Sequence, residues 1–184
     1  MNRRLGLVAG LAVVLVVLAI GGAMVLPAAL GSNKAASPSP LQRPAWLASR
    51  QEPYAIVQVG DAVVWARLAI TADERTRGLS GTERLEPNEG MLFVYTVKGR
   101  HPFWMRGMLF PIDMIWIDTN QVVDVKPDRP IPGPNQTEID LPIYSPNADA
   151  NYVLEVNAGW AAANNVTAGT PVTITFPPDV TLPR

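Results

Sequence analysis

Asp113 and Glu155 are carboxylates set in otherwise apolar, strand-like sequence, in the runs Pro111-Ile112-Asp113-Met114-Ile115-Trp116-Ile117 and Tyr152-Val153-Leu154-Glu155-Val156-Asn157. An ionised group in such a setting needs a partner, or it gives up its charge. Two chemistries follow. A carboxylate pair with one member kept protonated by apolar surroundings and the other ionised could hydrolyse a glycan. Alternatively, the carboxylates belong to a binding surface in which Glu155, Asn157 and Arg106 line a concavity and no catalytic group is required.

Arg106 directly follows the aromatic run Phe103-Trp104-Met105, so it could guard a groove mouth or simply end a strand in water. Arg75 could reach either carboxylate through a bidentate contact, or lie exposed on a helix. Trp104 is a core residue by default and a stacking platform by alternative. Asp113 has a plain structural role open to it, accepting backbone amides or pairing with an arginine inside the fold. The balance favours binding over catalysis, because the chain has no nucleophile elbow, no cluster of metal ligands and no glycine-rich phosphate loop. No cofactor or metal is expected.

These side chains need strands to position them. Alternate residues of a strand point to opposite faces. Tyr152, Leu154 and Val156 therefore share one face, expected to be the core, while Val153, Glu155 and Asn157 share the other, expected to be wetter or to line a groove. On that reading Glu155 is an ionised binding group, and Glu155→Gln removes binding without disturbing the fold. Asp113 shares its face with Ile115 and Ile117 and is expected to be shielded.

Short β-branched and aromatic runs broken by Gly, Pro, Asn and Asp predict strands over 55–59, 63–70, 91–96, 102–105, 112–117, 122–126, 152–156 and 171–176. Gly60-Asp61 and Asp118-Thr119-Asn120 read as hairpin turns. Thr71-Ala72-Asp73-Glu74 has the spacing of a capping box, which predicts a helix stopping near Gly78 or Gly81. A second short helix is expected over 160–165. Many short strands with few helices predict a mainly β domain, a single β-sandwich or a partly closed β-barrel.

The chain has no cysteine and one histidine, His101. Disulfides, thiolate metal sites, a cysteine nucleophile and sites needing several imidazoles are excluded. With Arg3 and Arg4 set aside, the 15 basic residues fall to 13 against 16 acidic ones, a balance of −3 that gives no electrostatic reason to bind nucleic acid.

Residues 5–26 carry no charged side chain and are long enough to cross a hydrocarbon core of roughly 30 Å as a transmembrane helix. With Arg3 and Arg4 held inside, the rest of the chain lies outside the cytoplasm as a single-pass protein of the cell membrane. The alternative is a cleaved signal and secretion, since small residues follow Pro27. Residues 27–52, rich in Ala, Ser and Pro, read as a semi-rigid tether, 53–178 as the β-rich domain and 179–184 as a tail. Trp46 and Leu47 interrupt the tether and could touch the membrane interface or the domain.

The ordered set Glu74-Arg75, Gly78-Leu79, Gly90-Met91-Leu92-Phe93, Phe103-Trp104-Met105, Pro111-Ile112-Asp113, Val153-Leu154-Glu155-Val156 and Gly159 resembles a prokaryotic family known as domain of unknown function 192 (DUF192), over about residues 68–174. The resemblance implies a small β-rich domain, often exported or membrane-anchored, with no established activity. The chain departs from the family's pattern at Ser80, where Met is usual, at Arg106-Gly107-Met108, where Lys-Asn-Thr is common, and at Gly169-Thr170, where Gly-Asp is expected. The function that follows is a ligand- or partner-binding module for an extracytoplasmic small molecule, glycan or protein, with a cell-envelope glycan hydrolase as the alternative.

Overall fold

The computed structural model describes residues 43–182, so the predicted membrane helix lies outside the described residues. Seven strands form a single sheet: β1 (Tyr54–Val59), β2 (Ala62–Ala69), β3 (Glu89–Gly99), β4 (Ile112–Asp118), β5 (Gln121–Arg129), β6 (Ala150–Asn157) and β7 (Val172–Thr175). Their order is β5-β4-β6-β3-β2-β1-β7. Every pairing is antiparallel except β2 with β3, which is parallel and needs a crossover. Helix α1 (Ala72–Arg77) supplies it. Thr71 and Glu74 form the capping box reciprocally, and Gly78 ends the helix at a φ of 51° that favours glycine.

The sheet curls, so the fold is one sheet rather than two stacked ones, and the sandwich alternative drops out. Its outermost strands meet near one end through Val122 N–H to Thr170 O (2.9 Å), Gly169 N–H to Val122 O (2.8 Å) and Val172 N–H to Asn120 O (2.7 Å). Inside the curl lie Val57, Val64, Leu92, Ile115, Leu154 and Val156, and helix α2 (Trp160–Ala163) packs its Trp160 and Ala161 against them. The other face is also apolar. Met91, Phe93, Met114, Trp116 and Val153 are covered there by Leu79, Leu85, Phe103, Met105 and Met108 from the connections.

Two expectations change. The 102–105 segment is no strand; it makes one isolated bridge, Phe103 to Tyr144, because Pro102 has no amide to donate and the chain arches over the sheet at this point. The face of β6 carrying Val153 and Glu155 is not the wetter one, since Glu155 is 3% exposed beneath the covering connections. Of the contacts left open for Trp46 and Leu47, the one with the domain is seen: Leu47 is buried in a 3-10 turn (Ala45–Ser49) and Trp46 meets the edge of Tyr54 at 5.8 Å.

Candidate functional site

Strand register decides which polar residues meet. Glu155 lies opposite Met114 on one side and Met91 on the other, while Asp113 lies opposite Val156. Successive residues of β4 alternate, so Asp113 and Glu155 sit on opposite faces of the sheet. The pair that a hydrolase would need is not assembled.

Asp113 is wholly buried and serves the fold. Its Oδ1 accepts from the amides of Asp128 (2.8 Å) and Gly159 (3.1 Å), and its Oδ2 from that of Ala161 (2.8 Å). It thereby fixes the start of α2 on the sheet, with no arginine involved. Asn157 also leaves the site, because its Nδ2 donates to Leu85 O (3.4 Å) and Glu86 O (3.0 Å) and holds the preceding connection in place.

The other four predicted site residues come together. Glu155, Arg75, Arg106 and Trp104 line a narrow neck of about 70 Å³ between α1 and the 102–108 arch, with Arg77, Tyr95 and Phe103. Beyond it lies a chamber of about 450 Å³ bounded by Arg75, Tyr95, Pro102, Phe103, Trp104 and Ile143. A recess of about 340 Å³ on Asp73, Thr76, Arg77, Ser80 and Arg106 shares its arginines with the neck, so the three form one groove.

Glu155 is the floor. Its Oε2 is buried without a hydrogen-bond partner. Burial pushes the carboxyl up to about 8, the Arg67 guanidinium opposing, so at neutral pH the group is a neutral acid able to donate. The expected ionised binding group is therefore corrected, and Gln becomes its closest neutral mimic. A stability consequence follows. The carboxyl of the folded chain titrates above that of the unfolded chain, so the folded state holds the extra proton between the two values and loses stability as pH rises. In urea unfolding of the intact protein, stability is expected to be lost progressively from about pH 5 to the folded value of about 8, while Glu155→Gln removes this component of the slope. Parallel pH profiles for the two would contradict the assignment.

The walls are cationic and aromatic. Arg75 donates to the carbonyls of Ile70 and Val94 and lies 5.0 Å from the Tyr95 ring centroid, reaching neither carboxylate. Burial pushes the Tyr95 phenol up to about 12, and His101 stacks on that ring at 3.5 Å. Arg106 sits 5.6 Å from the Trp104 centroid and pairs through Nε with the exposed Glu138 carboxylate at 2.7 Å. Trp104 is 39% exposed at the rim, an open aromatic surface instead of a core residue.

Residues 55–174 match the model of the family DUF192, described as an uncharacterized ACR. The chain belongs to this family. The DUF192 match runs from β1 into β7 and so includes every groove residue. Two solved structures share the fold. One, a candidate transcription regulator from Sinorhizobium meliloti 1021, has 22% identity and a TM-score of 0.57 over 66% of this chain and 92% of its own. The other, a protein of unknown function from Novosphingobium aromaticivorans DSM 12444, has 25% identity and the same TM-score of 0.57 over 69% of this chain and 96% of its own. No curated protein matches the chain.

Sequence reasoning missed Arg77, Tyr95 and Ser80 in the groove. A signal existed for Tyr95: Glu89, Met91, Phe93 and Tyr95 form one period-2 face while Leu92 and Val94 form another, so both faces of β3 are apolar and both need cover. It also missed Glu89, 1% exposed, which accepts from Tyr54 Oη (2.9 Å) and the Glu86 amide (3.0 Å) and faces Arg67 at 3.6 Å and Arg50 at 3.8 Å. That cluster anchors the entry to β1, and its Arg67 is the cation that acts on Glu155. Ser80 Oγ donates to Arg106 O at 2.6 Å and the Gly81 amide to Gly107 O at 2.9 Å, tying the end of α1 to the arch. The departures from the family pattern at Ser80 and Arg106-Gly107 are thus neighbours. A Cβ on Gly107, whose φ is 65°, would lie 3.1 Å from Ser80 Cβ.

Proposed function

We propose that this DUF192 domain is a ligand-binding module, tethered outside the cytoplasm by an apolar helix at residues 5–26 or released after cleavage, and that it captures a small molecule or a terminal group of a larger one in the groove over Glu155. The observation that carries the reading is the combination of a buried, unpartnered carboxyl on the floor with an open tryptophan at the rim. A polar atom held out of water without a partner costs about 1–3 kcal/mol. Folded proteins retain few such atoms, and a bound ligand supplies a partner. An apolar chamber beside a few convergent polar groups is the usual form of a small-molecule site. Catalysis by a carboxylate pair has no support from the placement of Asp113.

The test is a thermal-shift screen of the full-length protein in neutral detergent against cell-envelope glycans and small metabolites. A ligand at 100 times its Kd stabilises the folded form by about 2.7 kcal/mol. Trp104→Ala, at the exposed rim, is expected to leave the unliganded melting temperature within a few degrees and to abolish the shift at the same ligand concentration. Compounds that shift parent and variant equally bind elsewhere and would remove the groove from consideration.

A further inference from the structure

We infer that the ligand of this groove presents an anionic oxygen group, a carboxylate or a phosphate, to the neck between Glu155, Arg77 and Arg106, and lays a flat apolar body into the chamber against Trp104 and Phe103. The inference rests on the binding reading above and adds the chemical class of the ligand.

The neck sets the size of the head group. At about 70 Å³ it exceeds the 10–15 Å³ that one water needs, which leaves room for a small head group such as a carboxylate or a phosphate. The chamber of about 450 Å³ beyond it is bounded by Tyr95, Pro102, Phe103, Trp104 and Ile143, which suits an aromatic or short aliphatic body.

The neck also sets the charge. Arg75, Arg77 and Arg106 line it, and the single carboxyl among them is Glu155. Glu155 is 3% exposed, its Oε2 has no partner, and as a neutral acid it donates a hydrogen bond. On α1, Arg75 already donates to Ile70 O and Val94 O and Thr76 to Ala72 O, which leaves Arg77, Arg106 and the Glu155 acid as the donors that a ligand rich in acceptors satisfies. Arg106 already holds a carboxylate, that of the 60% exposed Glu138 at 2.7 Å. This contact shows that the guanidinium is placed to take such a group, and a ligand anion competes for it with a solvated side chain that is worth little to the fold.

Arg67 on β2 is the charge that opposes the rise at Glu155, and it lies 3.6 Å from the Glu89 carboxylate at the start of β3; Tyr95 on β3, Arg75 and Arg77 on α1 and Arg106 on the arch line the same neck, while β4 faces Glu155 with Met114. Tyr95 is pushed up to about 12 and stays neutral over the working range. Glu155 is then the group among these whose charge changes between pH 6.5 and 9.5, and its ionisation puts a negative charge under the bound anion.

The experiment measures Kd by ligand-detected NMR with the full-length protein in neutral detergent, using benzoate, phenyl phosphate and the neutral isostere benzamide. At pH 6.5 at least one anion is expected to bind tenfold or more tighter than benzamide, and at pH 9.5 that advantage is expected to fall at least fivefold. Glu155→Gln keeps a neutral donor and is expected to keep anion binding with the pH effect gone. Arg77→Gln is expected to weaken the anions at least fivefold and leave benzamide unchanged. The tighter anion, benzoate or phenyl phosphate, tells carboxylate from phosphate. Displacement of either by lysophosphatidylglycerol, added to the same micelles, tells a lipid headgroup from a soluble anion. Benzamide binding as tightly as both anions, with Trp104→Ala abolishing it, would overturn the anionic head and leave the groove as a binding site. Anion binding unchanged in Trp104→Ala, Arg77→Gln and Glu155→Gln alike would overturn both, as would no binding of any of the three compounds together with a failed thermal-shift screen. No binding of the three where the screen does find a groove ligand would overturn this inference alone.

Discussion

Asp113→Asn is expected to destabilise the protein by about 3 kcal/mol or more, although it changes one atom of a side chain that touches no ligand groove. The two carboxylate oxygens accept three backbone N–H groups, from Asp128, Gly159 and Ala161, at 2.8–3.1 Å, in a fully buried position. An amide can offer its single oxygen to one side of that array. Its NH2 then faces a backbone N–H, leaving two buried donors opposed, and the stronger bonds made to a charged acceptor are lost as well. The damage falls on α2, whose first turn Asp113 holds and whose Trp160 and Ala161 pack inside the curl. Urea unfolding measures the loss, and faster hydrogen exchange at the Gly159 and Ala161 amides locates it. Asp179→Asn, at an exposed position, is expected to stay within about 0.5 kcal/mol. A loss below about 1 kcal/mol for Asp113→Asn would mean that these three bonds do not hold α2.

Gly90→Ala is expected to be at least as damaging, about 3 kcal/mol or more, for a reason of space. A Cβ at this position would stand 2.6 Å from the carbonyl oxygen of Glu155, 2.9 Å from Val64 Cγ1 and 3.2 Å from Val156 Cγ1. The nearest of these is backbone. It cannot rotate away, so β6 has to move off β3 in the middle of the sheet. Because the displaced residue is Glu155 itself, the floor of the groove moves too, and the variant should lose ligand shift together with stability. Gly99→Ala is the comparison. Its Cβ would meet His101 Cε1 at 3.5 Å, an ordinary contact with a side chain, and the expected change is within about 1 kcal/mol. Equal melting temperatures for the two variants would show that β6 can yield at Glu155.

The glycine at the head of the Gly90-Met91-Leu92-Phe93 run therefore has a steric reason for being there that its sequence context does not display. The same holds for the covering of the sheet. Read alone, the 152–157 run has a clear apolar face and a mixed one, and the mixed one looks wet. It is dry because Leu79, Phe103, Met105 and Met108, distant in sequence, lie over it. That one displacement from solvent changes Glu155 from a charged group to a neutral acid and gives the site its donor character.

What the sequence by itself determined is local: the alternating runs that become strands, the Thr71–Glu74 capping box that starts α1, the shielding of Asp113, and the ordered motifs of DUF192. These rest on periodicity, caps and torsions that act over a few residues. Only the tertiary structure decided that Asp113 and Glu155 occupy opposite faces, that Asn157 holds a connection, and that Arg75, Arg77, Arg106 and Trp104 converge over Glu155. The physical reason is that strand register and the packing of connections bring together residues far apart in the chain. Burial and the hydrogen-bond partners met inside the fold, which together set whether a carboxyl is charged, are properties of that assembly and of no single segment.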